Sequence, residues 1–421
     1  MPTGRYPFMT KPRSIFRRAR TSVLVVLSIA LFDGVLTRLV LPDDLFGLIG
    51  TERLARIYSP VYHHDLAPNR LVADARWGTV RYSFATNSLG LKDRAVRPVP
   101  QHADRPRLLF LGDSFVEGNG TDFDHSVPGQ VEKILADLDV EVLNAAVSSY
   151  SPAIYYRKTK HLIEDRGLEI DAVAVFVDIS DIDDEARGVR LDADDNVISR
   201  GTGPMDEWTQ KAVLRTRGFL KRNSSVYRLV SALNRERKAR ITHAGNCLDA
   251  LAADDPAQPL NAAFFRAQLA NPRSQWTWND ALHKDWGQQG LDTAAANMAK
   301  LEAFLSSRGI PLIVAVYPWP EQIFQGETDS RQSRFWRRWA RNNGAHFLDL
   351  FPVFGRGLEP LAAYRKYFVL CDVHWNAAGH ELVARTFAGF YRSLDARAVP
   401  AQGQAATEIH PDHADPGTAR P

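Results

Sequence analysis

Apolar and polar positions divide the chain into three stretches of different period. Ser22–Leu41 is apolar almost throughout, and its length suits a helix that spans a membrane. From Arg107 onward, short apolar runs alternate with segments of helical spacing. Leu108–Leu111 reads as a strand, Val127–Leu138 as a helix, Val140–Val147 as a strand, Tyr155–Arg166 as a helix and Ala172–Ile179 as a strand. The alternation lapses over 186–290. It resumes with helix Asp292–Ser307, strand Pro311–Tyr317, helix Arg331–Asn342, strand His346–Leu350 and a closing helix, Ala377–Leu394. Strands alternating with helices predict an α/β fold, with a parallel sheet between two helical layers.

Around that pattern the chain divides into a basic segment (1–20), an apolar helix (21–41), a lead-in subdomain (43–100), an α/β domain (101–395) and a tail (396–421). The lead-in holds short β-like runs such as Thr79–Ala85. Within the α/β domain, 186–290 is an insertion able to cover one end of the sheet. It carries a basic helical stretch, Glu207–Arg240, read as a solvated face, and a Trp-bearing segment, Gln275–Trp286. The tail is rich in Ala, Pro, His and Asp without apolar periodicity, and reads as disordered.

Charge changes the picture only when it is apportioned. The net +3 comes from 52 basic and 49 acidic residues. Residues 1–20 hold Arg5, Lys11, Arg13, Arg17, Arg18 and Arg20 and no acid, so removing those six leaves 46 basic against 49 acidic, or −3. A folded part near neutrality argues against a nucleic-acid binder. The basic flank belongs to the apolar helix and places it N-terminus inward, with everything after Pro42 exported. Asp33 and Arg38 interrupt that helix. Its thirteen Leu, Val, Ile and Phe residues supply roughly −4 to −8 kcal/mol for insertion, Asp33 costs about 3 kcal/mol, and Arg38 can snorkel. The competing reading is a cleaved signal peptide with its core at Val23–Phe32, but no small-x-small cleavage site follows. The two cysteines, Cys247 and Cys371, either pair in an oxidising compartment or stay as separately buried thiols.

Two short segments carry candidate chemistry. Leu111-Gly112-Asp113-Ser114-Phe115 closes the first strand, where open parallel sheets bind ligands. A serine at a strand-to-helix turn exposes its Oγ and aims its N–H at a developing oxyanion. Cys371-Asp372-Val373-His374-Trp375-Asn376 precedes the last helix. A serine nucleophile needs an imidazole base, and the imidazole needs a carboxylate to fix its tautomer. Gly-Asp-Ser alone also suits an ordinary turn, and Asp-x-His alone a surface loop.

Together, a GDS strand at the start of an α/β domain and Asp-x-His at its last helix resemble the SGNH (GDSL-like) hydrolase superfamily. Within it, the chain resembles a membrane-anchored bacterial subgroup related to O-acetyl esterases and exopolysaccharide O-acetyltransferases. In that subgroup a Thr-Asn-Ser-Leu-Gly segment, here Thr86–Gly90, precedes the GDS strand. The resemblance covers roughly residues 80–185 and 295–395. It implies a flavodoxin-like three-layer α/β/α domain and a triad of Ser114, His374 and Asp372, with no metal or organic cofactor. The acid stands two residues before the histidine, where many members have three; Cys371 fills the longer position. The resemblance assigns the oxyanion hole to Ser114, Ser149 and Ser180. Two of these depart from the family pattern: Ser149 replaces a glycine and Ser180 an asparagine. Asp178, Asp181, Asp183 and Asp184 crowd beside that block and read as a solvated acidic turn.

The expected activity is that of a serine esterase or O-acyltransferase on acyl, above all acetyl, esters of cell-envelope glycan. The expected location is the bacterial inner membrane, single pass, with the C-terminal domain in the periplasm. Partners would be the acylated glycan or another ester substrate, the membrane, and components of polysaccharide assembly. The alternative is a catalytically weak SGNH domain that binds glycan or serves in assembly.

Overall fold

The computed structural model describes residues 13–39, 55–77, 80–200, 204–241, 243–253 and 260–395. The expected basic segment lies partly, and the expected tail wholly, outside these residues.

The first helix, α1 (Arg13–Leu39), contains the apolar run. Among the described residues it is the one helix long and apolar enough to cross a membrane, through the window Arg20–Thr37. Strands β1 (Arg56–Ser59) and β2 (His63–Leu66) form a separate antiparallel hairpin. Strands β3 (Leu71–Trp77), β4 (Val80–Thr86) and β5 (Lys92–Asp93) follow. The α/β part then supplies β6 (Arg107–Leu111), β7 (Glu141–Asn144), β8 (Ala172–Val177), β11 (Leu312–Val316) and β12 (His346–Asp349). Between them, β9 (Val189–Leu191) and β10 (Val197–Ser199) form a small antiparallel pair.

The main sheet runs β12-β11-β8-β6-β7-β5-β4-β3. Its first five strands are parallel. Counted along the α/β part, their order is 2-1-3-4-5, the flavodoxin-like arrangement. The expected parallel sheet is therefore present, but the whole sheet is mixed: β5, β4 and β3 add on antiparallel beyond β7. Much of the lead-in is thus an edge of the same sheet. Strands β6, β8 and β11 are buried at every position, because helices cover both faces and leave no polar side to alternate with.

Helix α2 (Ser114–Glu117) follows β6 directly. Helix α3 (Val127–Ile134) packs along the last helix, here α10 (Ala377–Asp395). On the other face α4 (Pro152–Lys160) packs on α8 (Gln288–Ser306), which also meets α9 (Arg331–Asn343). The insertion contributes α5 (Pro204–Asn223), α6 (Ser225–Ile241) and α7 (His243–Ala253). The basic stretch expected as one helix is thus two, broken at Ser224.

Local chemistry explains the two family-like blocks. Asn87 Oδ1 accepts the N–H groups of Leu89 and Leu91 (3.0 and 3.1 Å), closing the β4–β5 turn. Gly90 there has φ +78°, and a Cβ would lie 2.4 Å from the Leu66 carbonyl oxygen. The turn delivers buried Lys92, whose Nζ donates to the carbonyls of Gly118 and Thr121 (2.7 and 2.6 Å) and so braces the segment after α2. At the other block, Asn376 caps α10 by accepting the Gly379 N–H (3.1 Å). A Cβ on Gly379 would meet the Tyr367 carbonyl at 2.1 Å, and Trp375 beside it is fully buried.

Candidate active site

Strand order reverses between β6 and β8, and open α/β sheets bind ligands at such a switch point, outside the carboxyl ends of the strands. Ser114 leaves β6 at that point as the first residue of α2. Asp113 caps the helix by accepting the Phe115 N–H at 2.9 Å. A Cβ on Gly112 would lie 2.7 Å from Val116 Cγ2, so the tight elbow needs glycine. The loop before α10 brings His374 to the same spot. His374 Nε2 is 2.7 Å from Ser114 Oγ, and its Nδ1 is 2.5 Å from Asp372 Oδ1. Asp372 Oδ1 also accepts the His374 backbone N–H at 2.9 Å, so the i,i+2 spacing closes through a turn. With Nδ1–H donated to the carboxylate, Nε2 is left as the acceptor for the serine hydroxyl. Ser114 Oγ lies 3.2 Å from Asp113 Oδ2 as a second, longer contact.

Burial alone would raise the Asp372 pKa, but the charge of His374 and hydrogen bonds from His374 and Trp77 outweigh it and hold the carboxyl below its usual range. Burial would lower the His374 pKa, yet the charge and hydrogen bond of Asp372, with smaller contributions from Asp113 and Asp178, raise it above 6.5. The ring is clamped between Phe115 and Trp77, whose centroids are 4.7 and 4.9 Å away.

Ser149 follows β7 with φ +66°, left-handed backbone that favours glycine, which accounts for the family residue at this position. Its N–H has no acceptor among the described residues, nor has that of Ser114, which opens a helix. Ser180 lies in the turn three residues beyond β8. Its N–H donates to Asp178 Oδ1 at 2.7 Å and its carbonyl accepts from Arg273 at 3.0 Å, while its hydroxyl makes no hydrogen bond among the described residues.

The acidic turn differs from expectation. Asp178 and Asp181 are fully buried, not solvated, and cluster with Asp113, the residue before Ser114. With Asp113 they bring carboxylate oxygens within 4.8 Å of one another. Tyr317 donates to Asp113, Tyr155 to Asp181 and Trp319 Nε1 to Asp178 (3.1, 2.8 and 2.7 Å). Burial, then repulsion from Asp178, pushes Asp113 up to about 7 and Asp181 well up, disfavouring the charged form of each. Asp183 and Asp184 instead pair with Arg273, which the insertion supplies; Trp276 of the same segment donates to the Ile179 carbonyl at 3.1 Å.

Several residues at the site gave no sequence signal as a group. Trp77, at the end of β3, donates from Nε1 to Asp372 Oδ2 at 2.9 Å. Glu117 is fully buried and accepts from Arg56 of β1 in a forked pair (2.8 and 3.0 Å). It also accepts the Ser148 N–H at 2.6 Å, and Asn119 donates to the Ser148 hydroxyl at 2.8 Å, so the Ser149 loop is held by both. A carboxylate inside the otherwise apolar turn Ser114–Glu117 was the one visible hint. Cys247 and Cys371 form a disulfide, with Cα atoms 5.6 Å apart. It ties α7 to the residue before Asp372.

Residues 273–420 match the family model described as SGNH hydrolase-like domain, acetyltransferase AlgX, a span that includes the Asp372–His374 block and leaves out Ser114. A comparison with curated proteins returns no match. Among solved structures, the esterase EstA from Pseudoalteromonas sp. is similar over 69% of this chain and 98% of its own, at 9% identity and TM-score 0.35. A mutant of Axe2, an acetylxylan esterase from Geobacillus stearothermophilus, is similar over 68% of this chain and 94% of its own, at 13% identity and TM-score 0.33. With its 2-1-3-4-5 sheet and GDS elbow the chain has an α/β SGNH-like fold, and its residues 273–420 are similar to an SGNH hydrolase-like domain.

Proposed function

We propose that this protein is a membrane-anchored serine esterase or O-acyltransferase that acts on acetyl or related esters of cell-envelope glycan. One observation carries the reading: Ser114 Oγ, His374 and Asp372 form a continuous hydrogen-bonded relay at the switch point of the sheet. His374 takes the proton as Ser114 Oγ attacks the ester carbonyl, and Asp372 stabilises the imidazolium. The N–H groups of Ser114 and Ser149, with the Ser180 hydroxyl, receive the oxyanion. The alcohol leaves with the proton from His374. Water or a sugar hydroxyl then takes the acyl group from the serine. The acetyltransferase named in the matching family model supports transfer as one outcome, and the acetylxylan esterase fits the same ester chemistry. In this reading α1 is the anchor, its basic flank lies in the cytoplasm and the catalytic domain lies outside.

Incubation with an activated acetyl ester tests the proposal. Turnover, a covalent mass shift on Ser114 with a serine-reactive phosphonate, and loss of at least about a thousandfold in Ser114→Ala are expected. Turnover unchanged in Ser114→Ala would reject the triad, and no turnover at all would leave a glycan-binding component. An added acceptor oligosaccharide distinguishes esterase from transferase by where the acetyl group ends.

A further inference from the structure

Asp33 is an acid inside an apolar span, where an unpaired carboxylate is costly. It is not unpaired. Its Oδ1 accepts the backbone N–H groups of Ser225 and Val226 at 3.1 and 3.3 Å, and Thr37 Oγ1 lies 2.9 Å from the Ser225 N and Oγ. Those amides open α6 and have no partner within their own helix, so a negative charge suits them. Gly34 presents no side chain here; a Cβ would stand 3.7 Å from the Asn223 carbonyl oxygen. The tip of the α5–α6 hairpin is therefore docked on α1 at the level of Asp33–Thr37.

Depth follows from the rise of a helix. Asp33 lies six residues before the end of α1 at Leu39, about 9 Å below it at 1.5 Å per residue. A hairpin tip at that level is inside the outer leaflet if α1 spans the bilayer. The surface of the hairpin agrees. Val226, Val230 and Leu233 recur at i, i+4 and i+7 on α6 and, with Phe219 on α5, are more than half exposed. They continue the exposed apolar surface of α1. Arg217 and Arg215 lie exposed six and eight residues before Asn223, so about 9–12 Å from the tip, at headgroup height. Farther on, α5 packs against β1 and β10 of the folded domain, so the hairpin descends from that domain toward the membrane.

We infer that the α5–α6 hairpin is itself a membrane element, inserted in the outer leaflet beside α1. Its tip is capped by Asp33, its apolar stripe faces acyl chains, and Arg215 and Arg217 meet anionic headgroups. This rests on the reading of α1 as an anchor. The hairpin then holds the active-site domain against the bilayer at a second point besides α1.

The test uses the full chain in nanodiscs of phosphatidylethanolamine and phosphatidylglycerol. Spin labels are placed singly on Leu31→Cys, Arg215→Cys, Phe219→Cys, Val226→Cys and Val230→Cys, the native cysteines being bridged. The proposal expects the oxygen-to-nickel-chelate accessibility ratio at 219, 226 and 230 to match that at 31 and to exceed that at 215 several-fold. Lipid-like values at 31 with water-like values at 219, 226 and 230 would overturn the hairpin alone. Water-like values at all positions would overturn the anchor as well. Labels at 226 and 230 shielded from both reagents, with dipolar broadening between copies, would assign the stripe to a second copy of this chain and also overturn it.

Discussion

Trp77 reaches the site from the far end of the sheet, and its indole N–H is the one side-chain donor other than His374 that Asp372 receives among the described residues. It holds the second carboxylate oxygen, so the acid cannot rotate away from the imidazole. Trp77→Phe keeps the ring against His374 and removes only the donor. A hydrogen bond to a charged group is worth about 1.5–3 kcal/mol, so kcat toward an activated acetyl ester should fall roughly tenfold or more with KM little changed. An unchanged kcat would make Trp77 a packing residue only. The relay also predicts a pH profile. His374 acts as a base only when neutral, and its pKa is raised above 6.5, so activity should be lost as pH falls through a midpoint above 6.5. Asp372→Asn removes the largest raising influence. Its acid limb should move below that of the parent, and kcat should drop about ten-thousandfold.

At the scale of elements, the site is built where separate segments are pinned to one another. Glu117 at the end of α2 joins β1 through Arg56 and the Ser149 loop through Ser148, so the loop proposed to receive the oxyanion is held by contacts within the fold. Ser149 and Cys371 both hold left-handed backbone, and each adjoins a residue or amide of the site. Such strain persists only where neighbours over-determine it. For Cys371 one of those neighbours is the disulfide, which closes a separation of 124 residues. Replacing both cysteines by serine should lower stability by about 2–4 kcal/mol, read from denaturant unfolding. It should lower kcat as well, since the Asp372 loop loses its tie to α7. Full activity in the double variant would confine the bridge to stability.

For the whole molecule, buried acids set the pH range of stability. Glu117 and Glu141 are held below 4.5 against the pull of burial, by Arg56 and by Arg107 with Arg97. Their contribution is present above that pH and lost as acid is added. Asp113 and Asp184 run the other way: burial pushes them up from 3.8 to about 7 and about 6. What they contribute is full below about pH 4 and lost as pH rises through those values. Raised His374 has the same sign, since its protonated form is favoured in the fold. The melting temperature should therefore peak at about pH 4–5 and decline from there toward about pH 7. In Asp113→Asn the decline between about pH 4 and 7 should be shallower; an equal decline would place the effect elsewhere.

What was legible in the sequence was whatever depends on neighbours along the chain. Strands β6, β8 and β11 were visible as apolar runs, and α9 and α10 as amphipathic periods, because burial on both faces or on one leaves its mark on consecutive residues. The candidate residues Ser114, Asp372 and His374 stood out for the same reason, since each lies in a short segment whose turn chemistry is local. Proximity along the chain could not report the burial of Asp178 and Asp181, nor the antiparallel edge that carries Trp77, nor the partner of Asp33 some 190 residues away. Those depend on which surfaces meet once the sheet is assembled. A carboxylate reads the same in sequence whether it faces water, a tyrosine or the open end of a helix, and only tertiary contact decides which.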